Sequence, residues 1–126
     1  MEKTIGQIGF TRTAELADLI LKNDLPGSLE YIAKINEGGY NVVDLNKELI
    51  HYLRRVLSLK IDPKLETVFK TEFTQKELEQ IKRHSVAIDR KKHVPLIQSL
   101  IRAYTEMRYS PFAVAPLEIA LIENLQ

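Results

Sequence analysis

Between residues 42 and 60 apolar side chains recur at one helical spacing for five turns. Val42, Leu45, Leu49, Tyr52, Leu53, Val56 and Leu59 fall on a single stripe. Ile50 and Leu57 lie off it and widen it, which a helix wetted along its whole opposite face would not need. This segment therefore meets neighbours on more than one side and forms the spine of the fold. Every other segment with apolar order keeps the same period, and none alternates at period two. The expectation is an all-α chain, a compact bundle of five to six helices.

Local signals divide the rest. Residues 1–10 are a leader with apolar anchors at Ile5, Ile8 and Phe10. A first helix runs from Thr11 or Thr13 to Lys22, with Leu16, Leu19 and Ile20 inward. Asp24 caps a second, Pro26 sits in its first turn where no amide donor is needed, and Gly38 and Gly39 end it. Leu29, Ile32 and Ala33 are its expected buried face. Asn41 caps the long helix. Residues 61–73 are the least regular, with Pro63 as a stop and Leu65, Val68, Phe69 and Phe73 packing back as a short helical turn. Thr74 and Glu77 form a capping box that opens a fourth helix, with Leu78, Ile81, Ser85 and Ile88 on one face. Residues 89–93 read as a charged link. Pro95 then opens a fifth helix with the stripe Leu96, Leu100, Ile101, Tyr104 and Met107. Ser110 and Pro111 bend the chain, and Pro116 starts a sixth helix carrying Leu117, Ala120 and Leu121.

At 126 residues the chain has the size of one domain, and 44% hydrophobic with 28% charged residues is a globular balance, not a disordered one. A formal charge of +1 argues against a module that works by broad phosphate neutralisation. The absence of cysteine excludes disulfides and cysteine-based zinc sites. No apolar run approaches the roughly 20 residues that span a bilayer, and the first residues lack a secretory apolar core. The expectation is a cytoplasmic protein.

Reaction chemistry is equally thin. Gly38 and Gly39 have no Gly-Lys-Ser/Thr partner, so no phosphate-cradling loop forms. His51, His84 and His93 are scattered and read as solvated or rim histidines, not as metal ligands. Ser58, His84 and Asp89 supply the residue types of a hydrolytic triad without the elbow or oxyanion hole that would make it one. The basic clusters at Arg54 and Arg55, at 82–84 and at 90–93 offer a phosphate-facing ridge. Interleaved carboxylates and missing stacking aromatics favour a solvated helix end, where cations complement the negative pole of the fourth helix. No catalytic residue, cofactor or metal is expected. Tyr104, Arg108, Tyr109 and Phe112 cluster near the elbow, and tyrosine and arginine are residue types that anchor interfaces, although core packing alone accounts for Tyr104.

The run Glu106-Met107-Arg108-Tyr109-Ser110-Pro111, followed by Ala115-Pro116-Leu117-Glu118-Ile119-Ala120-Leu121-Ile122, resembles the closing segment of the C-terminal collar domain, domain III, of bacterial DNA polymerase III subunits gamma and tau. Residues 45–60 resemble that family's long middle helix, and the hairpin with Asp24-Leu25 and Glu37-Gly38-Gly39-Tyr40-Asn41 is also similar. So is the leader Ile5-Gly6-Gln7-Ile8-Gly9-Phe10. The likeness covers nearly the whole chain in order, on helix-packing patterns and not on a catalytic signature. It implies one oligomerisation domain over residues 1–126, a part of the clamp loader that assembles the ring loading the sliding clamp in DNA replication. The implied partners are other gamma/tau collars and the delta and delta-prime subunits, with no direct DNA contact and no membrane. The phosphate loop, zinc knuckle and arginine finger of the family's ATPase module do not occur in this sequence, and Phe112-Ala113-Val114 replace a more polar elbow. Two other classes compete: a stand-alone helical adaptor, and a helical nucleic-acid binder using the basic ridge.

Overall fold

The computed structural model describes residues 8–125, and among them every regular element is a helix. The order is α1 (Gly9–Leu21), α2 (Leu25–Glu37), α3 (Val42–Ile61), α4 (Leu65–Glu72), α5 (Gln75–Ala87), α6 (Arg90–Tyr109) and α7 (Ala115–Asn124). The described residues thus hold seven helices where the sequence led to five or six. The difference lies in residues 65–72: Phe69 buries against the core, and that contact extends the expected turn into a helix of its own. Ile5 and the other expected features of residues 1–7 lie outside the described residues.

Caps act where local chemistry places them. Asp24 Oδ1 accepts from the Gly27 amide at 2.9 Å, and Asn41 Oδ1 accepts from the amides of Val43 and Asp44. Gly39 turns the chain out of α2 at φ +86°, a left-handed geometry that costs glycine nothing. Thr74 and Glu77 satisfy each other's backbone donors and open α5.

The start of α6 departs from expectation. Residues 89–93 are not a link: Asp89 is the N-cap, its Oδ2 accepting from the Lys92 amide at 3.0 Å. His93 Nδ1 in turn accepts from the Asp89 amide at 2.8 Å, so imidazole, from one position further along, does for α6 what glutamate does in the Thr74 box. Pro95 therefore lies inside α6, in its second turn, where it cannot donate to the Lys91 carbonyl.

The spine is where the sequence puts it. α3 packs against α1, α2, α4, α5 and α6, while α6 pairs with α7 and α7 returns to α2. Leu45, Leu49, Leu53 and Val56 of α3 are fully buried, and Ile50 and Leu57 also pack on the core, as the widened stripe requires. Other faces shift. In α2 the buried set is Ser28, Ile32 and Ile35, with Ala33 exposed. In α5 His84 takes the buried position expected of Ser85. In α6 Ile97 and Ala103 replace Ile101, which turns outward beside the true stripe of Leu96, Leu100 and Met107. No helix of the described residues is long and apolar enough to cross a membrane.

Candidate interaction surface

α6 ends at Ser110 because Pro111 cannot continue it and drives the residue before it into extended geometry; Ser110 has ψ 140°. Ser110 Oγ then accepts from the Phe112 amide at 3.0 Å, and the Phe112 carbonyl accepts from the Ala115 amide, which seeds α7. Pro116 falls in the first turn of α7, where its missing N–H is free of cost.

This elbow carries aromatic surface into solvent. Tyr109 is 79% exposed and Phe112 73%. The Arg108 guanidinium lies 5.9 Å from the Tyr104 ring centre and 5.8 Å from that of Tyr109, bridging the two rings. Tyr104 is half-buried against the core. Of the four residues singled out near the elbow, Tyr104, Arg108 and Tyr109 thus come together, while Phe112 stands on the elbow itself.

Two further residues belong to this segment and were missed. Ile119 and Ile122 are each 52% exposed on α7, whose opposite face buries Leu117, Ala120 and Leu121. That leaves apolar surface on the wetted face of α7, beside the exposed Glu123. The signal was present in the i, i+3 spacing of the two isoleucines off the Leu117 stripe. Ile101 on α6, 48% exposed, adds to the same apolar excess.

Two of the three histidines depart from the rim or solvated placement expected of them, while His51 is partly exposed as expected. His84 is 2% exposed and joins three helices: Nδ1 lies 2.6 Å from the Tyr52 hydroxyl of α3 and Nε2 3.0 Å from Asp18 Oδ1 of α1. Asp18 also accepts from Lys22 and Arg83, each at 2.9 Å. Burial would raise the Asp18 carboxyl, but these three donors outweigh it and hold the acid well below its usual range. Burial pushes the Tyr52 phenol up; it also pushes the His84 imidazole down, there against the pull of Asp18. His93, 7% exposed, is also pushed down by burial, with Lys92 adding to it. His84 is thus a structural pin and not part of a triad with Ser58 and Asp89; Asp89 is spent on the α6 cap.

The basic clusters also divide. Lys82 pairs with Glu66, and Arg83 with Asp18 and Gln80. Arg90 and Lys91 lie in the first turn of α6, at its positive pole, where cations are not favoured. The groove between α1 and α5 is lined by charged residues, of which Asp18 and Arg83 pair with each other. Among the described residues no group of three or more His, Cys, Asp or Glu is placed to hold a metal ion.

Against known protein families, residues 1–125 match the model for DNA polymerase III subunits gamma and tau domain III. The chain belongs to that family. No curated protein and no solved structure matches it. As a gamma/tau domain III, the chain is a domain of a clamp-loader subunit of DNA replication, a kind of domain that is not itself catalytic.

Proposed function

We propose that this gamma/tau domain III acts as a collar: residues 1–126 form one oligomerisation unit through which gamma/tau, delta and delta-prime subunits stand side by side in the clamp-loader ring of the cytoplasm. The observation that carries the reading is the exposed apolar run of α6, the elbow and α7, where Tyr109, Phe112, Ile119 and Ile122 face water. The unit transforms no substrate. It tethers, and tethering raises the effective concentration of attached ATPase modules without new chemistry.

The test is sedimentation of the purified chain alone and with delta and delta-prime subunits. Discrete heavier species with either subunit support the reading. A chain that sediments unchanged with both at concentrations of about 100 μM, weaker than any stable interface, overturns it. Binding to DNA with a steep salt dependence would instead mark the nucleic-acid alternative.

A further inference from the structure

His84 closes the last turn of α5 and His93 the first turn of α6, so two buried imidazoles flank the corner between these helices. In both rings Nδ1 is the accepting atom. The Asp18 carboxylate can only accept, so the His84 N–H sits on Nε2 and the Nδ1 lone pair takes the Tyr52 hydroxyl proton. At His93 the partner of Nδ1 is the Asp89 backbone amide, which can only donate.

A proton added to either ring turns that acceptor into a donor. At His93 the new N–H faces the Asp89 N–H, and the bond is lost. At His84 it faces the Tyr52 oxygen, and the phenol hydrogen then loses its acceptor in a site where Tyr52 is 3% exposed. The charges around His84 divide: Asp18 of α1 favours the extra proton, while Lys22 of α1 and Arg83 of α5 oppose it. From α3 the facing group is the neutral Tyr52 phenol. Around His93, Lys92 opposes the proton and Asp89 favours it.

We propose that the α5–α6 corner is a proton-operated latch, in which protonation of His84 and His93 frees α5 from α1 and α3 and undoes the first turn of α6, while α3 and α7 stay packed. This device is independent of the collar reading. Its direction follows from linkage: both rings are held neutral in the fold, so below the ordinary value of 6.5 the opened state binds more protons and gains population. Above that value the latch is fully engaged.

Amide hydrogen exchange on the whole chain, corrected for intrinsic rates, reads the latch directly. Between about pH 7.5 and pH 5.5, protection over residues 75–93 should fall about tenfold for each ring that stays neutral, with α3 and α7 unchanged. The double variant His84→Gln and His93→Gln keeps a donor and an acceptor at each site without titrating, and should flatten that response; His51→Gln should leave it intact. If the double variant does not fold, ring nitrogen NMR of the native chain decides: Nδ1 of both rings must be unprotonated at neutral pH and titrate below the ordinary imidazole value. Constant α5 protection, equal loss in all helices, a full response in the double variant, or protonated Nδ1 atoms at neutral pH would each overturn the latch.

Discussion

Asn46 of α3 donates from Nδ2 to the carbonyl oxygen of Leu100 on α6 across 3.0 Å, in a fully buried site. The same nitrogen lies 3.5 Å from the Met107 sulfur, while Asn46 Oδ1 has no hydrogen-bond partner among the described residues. The pair sets how α6 lies along α3, and it leaves an acceptor stranded at a cost of about 1–3 kcal/mol. Asn46→Leu removes donor and stranded acceptor together, so unfolding free energy should change by no more than about 1 kcal/mol or rise. Asn46→Asp removes the donor and buries a carboxylate, and should lose about 3 kcal/mol or more. Urea unfolding of the three proteins checks both signs.

At the elbow, stability and association should separate. Tyr109 and Phe112 are mostly in water, so Tyr109→Ala and Phe112→Ala should shift unfolding by about 0.5 kcal/mol or less. If these rings anchor a partner collar, each change should weaken association by about 2 kcal/mol, roughly thirtyfold in Kd. Paired melting curves and sedimentation titrations give the two numbers.

The box at the start of α5 makes a local prediction. Thr74 Oγ1 accepts from the Glu77 amide at 3.1 Å and Glu77 Oε1 from the Thr74 amide at 3.0 Å. Thr74→Ala should cost about 1 kcal/mol, and Thr74→Ser should restore most of it. Denaturant midpoints at constant slope are the measurement.

Acid should reveal the Asp18 pin. Its carboxyl is held below the ordinary value of 3.8, so under acid the unfolded chain takes up a proton that the folded chain refuses. The stability contributed by Asp18 is complete above that value and is lost as pH falls beneath it. The stability difference between the native chain and Asp18→Asn should therefore be widest near neutrality and narrow below about pH 4, as read by unfolding at stepped pH.

What the sequence made legible was local. The caps at Asp24, Asn41 and Thr74, and the stop at Gly39, depend on residues at most three positions apart, and all four stand as read. The α3 stripe is legible because seven side chains share one phase. Long-range pairings were not: His84 meets Asp18 across 66 positions and Tyr52 across 32, and no periodicity announces either. The spacing therefore put Ser85 inside, where the three-helix junction places His84. Pro95 misled in the other direction. A proline is a familiar helix opener, but Asp89 with His93 offered a better cap five residues earlier. At the elbow, residue type pointed to Tyr109 and Phe112, whereas the outward isoleucines of α7 needed the packed partner face before their exposure meant anything.

The central place of α3 has a consequence for synthesis. The chain is made from its amino end, so this helix leaves the ribosome before α6 does; Leu100 follows Asn46 by 54 positions. Until then the flank of the spine that α6 will cover is open to solvent, and the amide there keeps that flank wettable. A nascent chain that must wait for its last partner is better served by one hydrated asparagine than by an unbroken greasy ridge.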